Sequence, residues 1–261
     1  MGTLQGSWIW YELMTPDVAG SKAFYEAVVR WSVTPGSPET GGYGFIKAAD
    51  EAIIGGVVEL SDDVTSRRAR PRWIGYIGVN DVDASLSAIA TAGGRCLLPA
   101  RDVPIAGRIA MVADPGGAPF YIMAPTPPSG GGESTSFTAE INHGHCGWNE
   151  LLAGDAGREV AFYTGLFGWL LPEPMDMGEM GKYQFVAHDD VTVGAIMQKM
   201  PNVPAPIWAH YFWVHSIAAA KSAIEANGGK VIREPHQVPG DNWIVQGIDP
   251  QGAMFNLVGG E

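Results

Sequence analysis

Hydrophobic and polar positions change period along the chain, and the changes mark its elements. Residues 7–14 read as a strand, and Pro16-Asp17 break it, with Asp17 placed to cap a helix. Phe24, Ala27, Val28 and Trp31 follow at i, i+3, i+4 and i+7, one helical face. Short strands are expected around 42–48 and 52–60, and a longer one over 72–79. A second helix starts at Asp81. Val82, Ser85, Leu86 and Ile89 supply its inner face, and Gly93-Gly94 ends it. Strands near Cys96, over 109–113 and over 119–124 complete the stretch. The order reads β-α-β-β-β, written twice.

The whole pattern then repeats. Trp10-Tyr11-Glu12-Leu13 returns as Trp148-Asn149-Glu150-Leu151, Asp17 as Asp155, Phe24-Tyr25 as Phe162-Tyr163, and Trp31 as Trp169. Tyr43-x-Phe45 matches Tyr183-x-Phe185. Trp73, Tyr76 and Val79 match Trp208, Tyr211 and Val214, and Gly93-Gly94 matches Gly228-Gly229. Asp114-Pro115-x-Gly117-Ala118-x-Phe120 matches Asp249-Pro250-x-Gly252-Ala253-x-Phe255. Order and spacing hold across the full half, which marks a tandem duplication. Residues 127–140 are rich in Pro, Gly and Ser and read as a linker between domains 1–126 and 141–261.

Composition narrows the classes. A net charge of −12 repels phosphate backbones and anionic lipid, so nucleic acid and membrane are not expected partners. The basic cluster Arg67, Arg68, Arg70 and Arg72 flanks a proline and reads as a solvated loop. Cys96 and Cys146 do not align in the repeat, so no disulfide framework is indicated and a cytoplasmic setting is expected. No apolar run approaches membrane-spanning length.

The strand ending in Asp, the helical Phe-Tyr with a following Trp, and the late Asp-Pro-x-Gly turn occur in order and twice. With these motifs the chain resembles the vicinal-oxygen-chelate superfamily, which includes glyoxalases, bleomycin-resistance proteins and extradiol dioxygenases. The Trp-x-Glu-Leu start and two-copy length look most like a tandem branch related to a mycobacterial culture-filtrate antigen. The resemblance implies an α+β fold of two tandem domains. Each would hold two βαβββ modules, curled into an eight-stranded open, barrel-like sheet with helices outside and a cleft on the concave face.

The resemblance also implies where a divalent metal would bind. The first-strand positions fall on Trp10 and Trp148, the second-module positions on Ile74 and Ala209, and the last-strand positions on Tyr121 and Asn256. A further position near Gly55-Gly56 and Gly194-Ala195 offers neither His nor carboxylate. Only Asn256 and Tyr121 carry oxygen, neither a usual ligand for a hard cation. All six histidines lie in the second copy. The parity of His143-x-His145 is opposite to that of Trp148, so both are expected at the linker edge or the surface and away from the cleft, and the role of His210 stays open. No cofactor is expected, although a divalent metal remains an alternative.

Strand alternation instead puts Trp8, Trp10 and Glu12, and Cys146, Trp148 and Glu150, on the concave face. Tyr76, Tyr121, Tyr211, Trp213 and Asn256 join them. An aromatic wall with one carboxylate suits a flat or cationic small molecule. Glu12 and Glu150 could equally serve as general bases in a lyase, isomerase or dioxygenase, or simply bond Tyr76 and Tyr211 as structure. The protein is expected to act as a monomer or homodimer on a small-molecule ligand.

Overall fold

The computed structural model describes residues 4–60, 70–104, 106–126 and 134–261. Arg67, Arg68 and the linker stretch 127–133 lie outside the described residues.

Among the described residues, four α-helices stand where sequence periodicity places them: α1 (Val18–Val28), α2 (Val82–Thr91), α3 (Ala156–Phe167) and α4 (Ile217–Ala226). Each begins on a residue whose side chain accepts a hydrogen bond from a backbone N–H of the first turn. The pairs are Asp17 with Gly20, Asp81 with Ala84, Asp155 with Arg158 and Ser216 with Ala219. Asp17→Ala is expected to lower stability by about 1 kcal/mol; a urea midpoint unchanged from the parent would contradict it. In α1 the buried face is Phe24, Tyr25 and Val28, whereas Ala27 is exposed. The helix is rotated toward Tyr25 because that phenol has buried partners.

The first-half strands are β1 (Trp8–Thr15), β2 (Ser32–Thr34), β3 (Gly44–Lys47), β4 (Ile53–Glu59), β5 (Arg72–Gly78), β6 (Arg95–Val103), β7 (Gly107–Ala113) and β8 (Pro119–Pro125). They form one sheet in the order β2-β3-β4-β1-β5-β8-β7-β6. The second half contributes β9 (Cys146–Ala153), β10 (Met175–Asp176), β11 (Lys182–His188), β12 (Val191–Gln198), β13 (Ile207–Ser216), β14 (Lys230–Val238), β15 (Asn242–Ile248) and β16 (Met254–Gly260). These repeat the order as β10-β11-β12-β9-β13-β16-β15-β14. The architecture is α+β with two open eight-stranded mixed sheets, as expected. The short β2 has too few residues to show alternation and went unread in the sequence. The edge strands β6 and β14 carry Pro99 and Pro235 beside shifts of register, which blunts pairing with other chains.

The chain divides into two compact units that do not follow its halves. One unit comprises Met1–Ile9, Gly75–Glu133 and Asn149–Ala209; the other comprises Trp10–Ile74, Ser134–Trp148 and His210–Glu261. In the second of these, Trp73 Nε1 donates to Tyr25 Oη at 2.9 Å, and Tyr25 donates to Asp249 Oδ2 at 3.0 Å. Asp249 Oδ1 accepts from the backbone of Gln251 and Ala253, closing the Asp-Pro-x-Gly turn. The first unit builds the same relay from Trp208, Tyr163 and Asp114, at 2.8 Å and 3.2 Å. Burial raises both phenols well above their ordinary range and raises both carboxyls. The repeated Phe-Tyr and Asp-Pro-x-Gly motifs are thus the two ends of one buried hydrogen-bonded chain.

Candidate functional site

Strand β1 has two different faces. Tyr11, Leu13 and Thr15 are buried. The Tyr11 ring meets Phe212 and His210 at 5.7 and 4.9 Å, and the Thr15 hydroxyl bonds Ser21 of α1. Trp10 and Glu12 therefore take the opposite face. There Glu12 lies level with Gly56 on β4, and Gly56 level with Phe45 on β3. Trp10 Nε1 donates to Tyr43 Oη at 2.8 Å, and its ring stands edge-on to Phe45 at 6.4 Å. Glu12 is only 4% exposed.

The other copy holds the matching row. Glu150 on β9 lies level with Ala195 on β12, and Ala195 with Phe185 on β11. Tyr183 Oη donates to Glu150 Oε2 at 2.7 Å and stands edge-on to Phe185 at 5.5 Å. Glu150, Tyr183 and Phe185 are all half-buried, and so is Trp148. Tyr43, Phe45, Tyr183 and Phe185 were legible as a repeat but were not singled out as site residues. Their signal was a polar aromatic recurring two residues before a Phe in both copies.

The remaining candidates sit further along the strands. Tyr76 and Tyr121 pair in register on β5 and β8 and stack at 4.3 Å with 11° between planes. Tyr211 Oη accepts from Gln246 at 2.9 Å. Asn256, level with Tyr211, donates to the His210 carbonyl at 3.3 Å, and its Oδ1 is buried with no hydrogen-bond partner. Trp213 is buried, its indole nitrogen likewise without a partner, with the ring packed on Gly147.

Three expectations are corrected. Trp8 does not share the face of Trp10. It packs in the interior of its unit, 5.0 Å from Trp208 and 6.1 Å from Trp169. Cys146 is likewise interior, bonded by the Tyr11 hydroxyl, with burial pushing its thiol up to about 12. Next to these residues, Gly6 and Gly144 take positive φ, and the strand starts are bulged against Gly78 and Trp213. Of the two places expected for His145 the surface is not taken: it is fully buried at the linker edge, with Nδ1 bonded to the Thr135 carbonyl and Nε2 3.1 Å from Asp50. His143 is half-buried and stacks on His215 at 3.5 Å. His210 is buried against Tyr11, and burial pushes its imidazole down to about 3.

A metal does not fit this donor set. Tyr121 is stacked on Tyr76, and Asn256 offers a single neutral oxygen. Trp10 and Trp148 present indoles, and Ile74 and Ala209 no donor atom. No group of three or more His, Cys, Asp or Glu among the described residues is arranged to hold an ion. No helix among them is long and apolar enough to cross a membrane.

The comparisons with known proteins agree with the repeat. The family described as Glyoxalase/Bleomycin resistance protein/Dioxygenase superfamily matches residues 9–122 and again 143–257. CFP32 of Mycobacterium tuberculosis (strain CDC 1551 / Oshkosh), which carries the name glyoxylase, is 31% identical over 97% of this chain and 95% of its own length. The anthracycline biosynthesis protein DauV of Streptomyces sp. (strain C5) is 32% identical over 97% of this chain and 93% of its own. Among solved structures, the Mn(II)-bound glyoxalase of Novosphingobium aromaticivorans superposes with a TM-score of 0.62 at 16% identity, covering 99% of this chain and 82% of that one.

Proposed function

The chain belongs to the glyoxalase/bleomycin resistance protein/dioxygenase superfamily, and from that premise we propose that it binds a flat or cationic organic molecule without a metal. The observation that carries this reading is the row of Trp, Glu and Tyr-x-Phe that recurs in both copies, with Trp10 and Trp148 at the positions the resemblance gives to a first-strand metal ligand. An indole or phenol face attracts a flat ring, and a carboxylate beside it attracts a cation. The anthracyclines named in the DauV relative are flat polycyclic compounds of this kind. The ligand-binding residues we propose are Tyr76 and Tyr121 in one unit, and Trp10, Trp148, Tyr211, Trp213 and Asn256 in the other. The two sequence domains would act as two copies of one binding scaffold, in a monomer or homodimer.

The test is a thermal-shift panel of aromatic cations and flat polycyclic compounds, an anthracycline included. Ligand at a hundredfold over its Kd stabilises by about 2.7 kcal/mol. For a chain of this size that is a rise of roughly 5–10 °C. A broad panel with no rise would remove the reading.

The 2.7 Å bond from Tyr183 to Glu150 favours a second reading, in which Glu150, and Glu12 in the other copy, act as general bases. Such an enzyme would belong with the family's lyases, isomerases or dioxygenases. Loss of turnover in Glu150→Gln on a substrate found by activity screening would support it, and unchanged turnover would exclude it.

A further inference from the structure

The two copies of the Trp-Glu-Tyr-Phe row differ at one position, and the difference is steric. Opposite Glu12 stands Gly56, and a β-carbon built there would fall 2.2 Å from the Tyr43 hydroxyl and 2.3 Å from its ring. The Tyr43 ring can lie where it does because residue 56 has no side chain. Opposite Glu150 stands Ala195, whose methyl occupies that same place in the second copy. With that place taken, the Tyr183 phenol donates to Glu150 Oε2 at 2.7 Å. Within the row the exposure differs only at the carboxylate: Glu12 is buried and Glu150 half-buried, while Trp10, Tyr43 and Phe45 are half-buried like Trp148, Tyr183 and Phe185.

We propose that the copies have separated in function. The second copy is the open site and takes one flat aromatic cation per chain. The first copy is closed by Tyr43 seated on Gly56. This rests on the binding function proposed above and assigns it to one face, formed by Glu150, Tyr183 and Phe185. The phenol of Tyr183 donates to Glu150 Oε2, and a donated hydrogen bond favours the ionised carboxylate. An anionic carboxylate held beside the half-buried Phe185 and Tyr183 rings selects a protonated amine on a flat ring system over its neutral counterpart. Tyr183 is a positioning residue for that carboxylate.

Isothermal titration of the full-length chain tests this with two probes of one shape: 9-aminoacridine, protonated at neutral pH, and acridine, which is neutral there. The parent is expected to bind one 9-aminoacridine per chain and to prefer it to acridine by about tenfold. Glu150→Gln is expected to abolish the preference. Tyr183→Phe is expected to reduce it several-fold while leaving acridine affinity within twofold. Gly56→Ala displaces the Tyr43 ring and is expected to raise the stoichiometry to two; Tyr43→Ala provides the same opening if the alanine at 56 impairs folding. Two sites in the parent, a preference intact in Glu150→Gln, or a single site in both opened variants would overturn the inference and leave the binding function standing. Failure of the parent to bind either probe would sink both.

Discussion

Lowering the pH from about 7.5 to 4.5 is expected to cost this protein about 3 kcal/mol of stability through one side chain, His210. Its imidazole is buried on β13 against Tyr11, and burial pushes it down to about 3. An unfolded chain would hold the same group near 6.5. Between those two values the unfolded state carries a proton that the folded state refuses. Stability therefore falls as pH drops below about 6.5, at about 1.4 kcal/mol per pH unit, and the loss is complete only near pH 3. The buried carboxyls pull the other way. Burial raises Asp114, Asp249 and, in the presence of Arg158, Glu159. Their contribution is fully present below the unfolded carboxyl value and is lost as pH rises through the folded one. The net curve mixes both, so the variant His210→Phe isolates the histidine. Its stability relative to the parent is expected to improve by about 3 kcal/mol between pH 7.5 and 4.5. Urea unfolding at both pH values measures this, and parallel pH profiles for the two proteins would contradict the assignment.

His210 also shows where the sequence stops being informative. Alternation of apolar residues places it on a strand and on the face opposite Tyr211. It cannot show that Tyr11, two hundred residues earlier in the chain, closes over the ring. The same holds for His145, whose partner Asp50 lies in the other half of the sequence. Local signals read well: the helix caps, the glycine stops and the Asp-Pro-x-Gly turns are set by neighbouring residues. Strand faces read well too, except at Trp8 and Cys146, which pack in the interior. The candidate site residues Trp10, Glu12, Trp148 and Glu150 stood out because they recur in both copies. Tyr43 and Tyr183 recur as well, but their meaning depends on strand register. Only the pairing of β3 with β4, and of β4 with β1, brings Tyr43 over Gly56. That register is set by long-range packing, which no short motif encodes.

The second large effect follows from the buried relay that joins the two repeated motifs. Asp249→Ala is expected to destabilise the chain by roughly 3–5 kcal/mol. The carboxylate accepts from the Gln251 and Ala253 backbone through one oxygen and from Tyr25 through the other. Its removal strands a phenol whose remaining bond, from Trp73, uses it as an acceptor. Tyr25→Phe removes the donor in the middle and leaves Trp73 Nε1 without an acceptor, so it is expected to cost about 2–3 kcal/mol. The two changes act on one network, and their sum should exceed the double variant by at least about 1 kcal/mol. Asp249→Asn keeps an oxygen for the turn amides and should fall between the parent and the alanine variant. Asp114 and Tyr163 offer an internal control, because the other unit repeats the bonds with different surroundings. Urea titrations of the four proteins in the Tyr25/Asp249 cycle measure the coupling. Strict additivity would mean that the hydrogen bond contributes nothing beyond the packing of its two ends. The motifs would then be conserved between the copies for the turn and the ring alone, and the relay would be incidental to the pairing of the first quarter of the chain with the last.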